Sequence, residues 1–106
     1  MPAAKLVRIY FKEGDKTDEH HSLMRELFQL LHDEHRVRGV TVFRGVAGFG
    51  DHGIVQAEDL LGLNVHLPLV LELFDAPDVV DTVLPLLCER VPAKHIVCWD
   101  VEVVDA

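Results

Sequence analysis

The stretch Leu67-Pro68-Leu69-Val70-Leu71-Glu72-Leu73-Phe74-Asp75-Ala76-Pro77-Asp78-Val79-Val80 contains the change of period that decides the fold. Residues 67–74 read as a strand entered through a proline, with Leu71 on one face and Val70, Glu72 and Phe74 on the other. Ala76-Pro77-Asp78 then starts a helix, with proline at the first position, where its missing N–H is tolerated. Val79, Val80, Val83, Leu84, Leu87 and Val91 form the apolar side of that helix, and Pro92 stops it. Pro85 lies inside, where it removes a backbone bond and predicts a bend.

A matching unit lies on the N-terminal side. Residues 5–11 alternate as a first strand, with Val7, Ile9 and Phe11 on one face and Leu6, Arg8 and Tyr10 on the other. Gly14, Asp15 and Lys16 break it, and Thr17 or Asp18 offers a helix N-cap, with Glu19 suited to the positive end of the dipole. Leu23, Leu27, Leu30 and Leu31, with Met24 and Phe28, recur at helical steps to about residue 37. Arg36 and Arg38 suit that helix's C-terminal end, and Gly39 offers a left-handed stop. Residues 40–44 make a second strand, and 95–104 a last one in which Val97, Trp99, Val101 and Val103 share a face.

The order βαββαβ predicts an α+β, ferredoxin-like fold: a four-stranded antiparallel sheet with two helices on one face. Its 106 residues fit one domain, spanning 1–106. Setting Val7, Val42, Leu71, Trp99 and Val101 against the helices leaves Leu6, Tyr10, Phe43, Val70, Phe74 and Ile96 on the open face, beside Arg8 and Glu72. That face is too apolar for water and predicts a homo-oligomer. Arg8 and Glu72 fall on it as either an ion pair at the subunit junction or two solvated charges.

Composition narrows the function. Eighteen acids against ten bases give a net charge of -8, which repels polyanions and argues against nucleic acid as a partner. No apolar run approaches the length of a membrane span or a signal peptide, so the chain reads as cytoplasmic. Cys88 and Cys98 have no C-x-x-C spacing and read as reduced, packed thiols.

The connection between the second and third strands, about residues 45–66, is far longer than an antiparallel hairpin needs. It opens with Arg44-Gly45-Val46-Ala47-Gly48-Phe49-Gly50, whose glycines permit either a tight turn or close approach to a ligand. Ile54, Ala57, Leu60 and Leu61 then recur at helical spacing, predicting a short amphipathic turn ending at Gly62.

The run Gly39-Val40-Thr41-Val42 followed by Gly48-Phe49-Gly50 resembles the second strand and loop start of PII nitrogen-regulatory signalling proteins. The whole chain resembles more closely a family of small PII-like proteins known as domain of unknown function 190. That likeness rests on Arg8-Ile9-Tyr10, Glu13 with Asp15, Gly39 to Val42, Arg44-Gly45, Gly48-Phe49-Gly50, Ala57, Leu60-Leu61, Leu67-Pro68, Glu72, Asp75 and Pro85. The resemblance implies a PII-like homotrimer with ligand clefts between subunits, where adenine nucleotides such as AMP or ADP bind. It also implies a long loop that signals to a partner. Family members are sometimes encoded beside fluoride-exporting channels, which points to a membrane transporter or channel as that partner. Carried onto this chain, the ligand residues are Arg38, Arg44, Gly45, Gly48, Phe49, Gly50, Lys94 and His95. For Arg44 and Lys94, phosphate contact and a surface salt bridge both remain open. Asp51 and His52 stand where PII proteins carry arginine and glutamine, which argues against tight triphosphate and 2-oxoglutarate binding.

Two rival readings use the seven histidines. His32 and His35 share a helix face and are weak metal-ligand candidates, as in a cation-tolerance trimer of similar architecture. A weak nucleotide phosphohydrolase is the enzymatic alternative. No nucleophile elbow, H-E-x-x-H zinc motif or phosphate-binding G-x-x-x-x-G-K run is present, so the expectation is a protein that is not an enzyme. The Glu13 and Asp15 carboxylates could serve as a catalytic pair, but read first as an acidic turn capping the first helix.

Overall fold

In the computed structural model, residues 2–34, 37–49, 56–57 and 66–105 are described. Strand β1 (Ala3–Lys12) places Val7, Ile9 and Phe11 in the core, as its alternation requires. The first helix starts later than Thr17 or Asp18. Its N-cap is Ser22, whose Oγ accepts the Arg25 N–H at 3.3 Å, while Thr17 Oγ1 accepts the His21 N–H in the preceding turn. Helix α1 (Leu23–Phe28) passes directly into a π-helical segment, Gln29–Glu34. Such segments open the ladder by one residue per turn, and Leu30 and Leu31 are both buried along this one.

Strand β2 (Thr41–Arg44) follows, then the short strands β3 (Ala47–Gly48) and β4 (Gln56–Ala57), which pair with each other. Ala57 is therefore in a strand, not in an amphipathic helical turn; Ile54, Leu60, Leu61 and Gly62 lie outside the described residues. Strand β5 (Pro68–Asp75), helix α2 (Pro77–Cys88) and strand β6 (Ile96–Glu102) complete the order. Helix α2 continues through Pro85 to Cys88. Gly39 is not left-handed; among the described glycines only Gly14 has a positive φ.

The main sheet is antiparallel in the order β2-β5-β1-β6, and both helices cover one face. Leu27 and Leu31 from the first helix meet Val80, Val83 and Leu87 from α2 over Val7, Ile9 and Leu71, all nearly inaccessible. Each of these larger side chains contributes about 1.5–3 kcal/mol by leaving water. This is the ferredoxin-like α+β arrangement that the sequence predicts.

The last strand faces the other way from the expectation. Trp99 pairs with Leu6 and Val97 with Arg8, so Val97, Trp99 and Val101 lie on the open face, not in the core. Ile96, paired with Ile9, is on the helix side. The reason is position. Strand β6 is an edge beyond the reach of the helices, and Cys98 and Asp100 on its helix side remain exposed. Cys88 and Cys98 are free, as expected, but exposed, not packed.

Candidate functional site

The strand register divides the candidate ligand residues between two ends of the sheet. At one end, Arg44 closes β2 and pairs with Leu69, which pairs with Phe11. Lys94 lies two residues before β6, in the turn that leads into it, and the Tyr10 N–H donating to the His95 carbonyl keeps this turn at the same end of the sheet. Arg44 and Lys94 thus belong to opposite edges of the sheet, β2 and β6, which three interstrand spacings hold about 14 Å apart. Arg38 is at the far end. Its N–H donates to Asp75 Oδ2 at 2.7 Å and its guanidinium lies 5.9 Å from the Phe74 ring. Asp75 is six residues along β5 from Leu69, the partner of Arg44, which places Arg38 about 20 Å from Arg44. Within one chain these three bases do not converge.

The base of the long connection is tied together by residue 13. Arg44 Nε donates to Glu13 Oε1 at 2.9 Å, and the Leu67 N–H donates to the same oxygen at 3.2 Å. The Glu13 N–H donates to the Leu67 carbonyl, and His66 Nδ1 donates to the Glu13 carbonyl at 2.7 Å. His66 packs where a side chain on residue 14 would stand. A Cβ on Gly14 would lie 2.6 Å from His66 Nδ1, and Gly14 has φ +83°. Glu13 therefore does more than form an acidic turn; the separate turn contact is Asp15, whose carboxylate accepts the Lys12 N–H.

Gly45 and Gly48 face Pro68, with a Cβ on Gly45 only 2.8 Å from the proline ring. The Gly45 N–H also donates to the Pro68 carbonyl at 2.7 Å. Close packing against the start of β5 is thus one reason for glycine there. Val46 and Phe49 are largely exposed. On the other edge, Lys94 has a left-handed backbone, φ 71°, in the turn closed by His95 N–H to the Pro92 carbonyl. His95 Nδ1 donates to the Tyr10 carbonyl at 2.9 Å. Gly50, Asp51 and His52 lie outside the described residues.

The open face carries Leu6, Tyr10, Phe43, Val70, Phe74, Val97 and Trp99. Phe43 is 50% exposed, and Tyr10, Phe74, Val97 and Trp99 are each 41–44% exposed. Arg8 and Glu72 form a 2.7 Å ion pair in the middle of it, with the Arg8 guanidinium 5.6 Å from the Trp99 ring. The hydrogen bond to Glu72, and then that to Tyr10, hold the Arg8 pKa above its ordinary value.

His32 Nδ1 contacts Asp33 Oδ1 at 2.6 Å on an exposed surface, and His35 lies outside the described residues. Among the described residues no group of three or more His, Cys, Asp or Glu side chains could hold a metal, and no helix is long and apolar enough to cross a membrane.

Residues 4–103 match the model of domain of unknown function 190, an uncharacterised ACR family. The chain is 35% identical over 89 residues to a UPF0166 protein of Methanocaldococcus jannaschii, covering 84% of this chain and 80% of that protein. It is 32% identical over 103 residues to a UPF0166 protein of Aquifex aeolicus, covering 94% and 92%.

Proposed function

The chain belongs to the family known as domain of unknown function 190, and from that premise we propose that it is a ligand-responsive regulator, not an enzyme. It acts in the cytoplasm as a homotrimer that binds an adenine nucleotide, AMP or ADP, in clefts between subunits. Its long connection carries the state of the cleft to a partner, a membrane transporter or channel.

The observation that carries this reading is the placement of Arg44 and Lys94 at the same end of the sheet on opposite edges, β2 and the turn before β6. Within a chain the two are not gathered around one point, since Arg44 is engaged by Glu13 on its own edge. A head-to-tail interface in a closed ring brings different surfaces of neighbouring copies together. It sets the β2 edge of one subunit beside the β6 edge of the next, so that Arg44 and Lys94 meet there. The apolar open face supplies the burial for such a ring. The connection leaves β2 beside Arg44, so a ligand held there need favour one arrangement by only about 1–3 kcal/mol to act as a signal.

Isothermal titration of the metal-free protein with AMP, ADP, ATP and cyclic AMP, with and without magnesium, tests the reading. The expected result is saturable heat from AMP or ADP that Lys94→Ala abolishes. Silence from every nucleotide contradicts it.

A further inference from the structure

We infer that Glu13 is a built-in competitor for the anion at Arg44, so that ligand binding and an intact loop base exclude each other. The inference rests on the reading of Arg44 as a phosphate contact and adds how occupancy reaches the long connection. Residue 13 holds both ends of that connection. Its carboxylate takes Arg44, the last residue of β2, and the N–H of Leu67, the residue before β5. Its backbone takes His66 Nδ1 on its carbonyl and gives its own N–H to Leu67.

A guanidinium binds a phosphate through the same planar fork that it offers a carboxylate. Arg44 is already engaged through Nε. An incoming phosphoryl oxygen that takes this edge meets the negative Glu13 carboxylate, and the two like charges cannot share it. When Glu13 swings away, Leu67 loses the acceptor of its N–H. Leu67 is almost wholly buried, so no water replaces that acceptor in place, and the chain at 66–67 must rearrange. Gly14, left-handed and with the His66 ring standing where its side chain would be, adjoins the moving residue just after β1. The ligand thereby has a different contact set in the two states, which is the requirement for coupling.

The test uses ADP as the probe, with amide exchange at Leu67 as the structural readout. Glu13→Gln keeps an oxygen for the Leu67 N–H and removes the charge that opposes the anion. It is expected to bind ADP roughly two- to five-fold tighter than the natural chain, the range set by an exposed ion pair. Glu13→Asp, which withdraws the carboxylate by one methylene, is expected to shift affinity in the same direction. Saturating ADP should speed exchange at Leu67 in the natural chain and leave it unchanged in Glu13→Gln. If Arg44→Ala and Lys94→Ala abolish ADP binding but Glu13→Gln binds no tighter, the intersubunit site stands and the competitor role falls. Unchanged Leu67 exchange at saturation also overturns that role. If no variant binds ADP, both readings fall.

Discussion

Replacing Phe74 with aspartate should dismantle the assembly and spare the fold. Phe74 lies on the open face, opposite Leu6 of β1, with 41% of its surface still exposed in the single chain. A phenylalanine buries roughly 200 Å² when covered, so about 80 Å² remains to be buried between subunits, worth about 2 kcal/mol at 25 cal/mol per Å². Three copies lose about 6 kcal/mol together, a change of about 10⁴ in the trimer association constant. A carboxylate forced into the apolar interface adds to the loss. Within the chain, the substitution gives up the part of the ring already covered, about 120 Å² or about 3 kcal/mol, and the Arg38 stacking contact, worth about 0.5–1 kcal/mol, which together stay below the ~5–15 kcal/mol stability of an ordinary domain. Light scattering at micromolar concentration should give three times the 11.9 kDa chain mass for the natural protein and the mass of one chain for Phe74→Asp. A variant that retains the trimer mass refutes the assignment of this face to assembly.

Other substitutions separate core from surface. Leu71→Ala should cost about 2–5 kcal/mol of folding stability in denaturant titration, because Leu71 is wholly buried. Trp99→Ala should weaken assembly and lower the denaturation midpoint of the dissociated chain less than Leu71→Ala does, since Trp99 is on the open face with 41% of its surface exposed. Gly14→Ala should lower the melting temperature, because residue 14 is left-handed at a cost of about 1–2 kcal/mol and its Cβ would collide with His66. The pair Lys5–Asp81, at 2.6 Å, joins β1 to α2, and the hydrogen bond to Asp81 raises the Lys5 pKa. A raised lysine pKa stabilises the fold below the ordinary lysine value and loses that effect as pH climbs through the raised one. Asp81→Asn should therefore melt below the natural chain at pH 7–9, with the gap closing above the lysine range.

Strand and helix periods were legible because each element has one strongly apolar side. Leu23, Leu27 and Leu31 mark the first helix, and Val80, Val83 and Leu87 the second. Alternation also shows which residues of a strand share a face, but not which face meets the helices. In β6 the more apolar set, Val97, Trp99 and Val101, would ordinarily be core. It faces outward here because the open side is itself apolar and the helices stop short of this edge. The helix start was ambiguous because Thr17, Asp18 and Ser22 all carry capping oxygens, and the turn that uses Thr17 precedes the helix.

The candidate site was legible only in part. Arg44, Gly45 and Gly48 stand together at the start of the long connection, as their sequence proximity suggests. That Arg38 lies at the opposite end depends on its bond to Asp75 at the far end of β5, a contact between segments distant in sequence. The position of Glu13 beside both Arg44 and Leu67 depends on three-strand register, which one sequence does not encode locally. Its only hint was the acidic turn after β1, which suggested a helix cap.

Mixed trimers test the central claim, a ligand site completed between neighbouring subunits, most directly. Arg44→Ala and Lys94→Ala chains should each fail to bind ADP alone. Co-expressed in one trimer, they should regain binding wherever an intact Arg44 meets an intact Lys94 across an interface. Titration of such mixed trimers with ADP should therefore show partial recovery of saturable heat. No recovery, in mixed trimers whose assembly is verified by mass, would contradict the account.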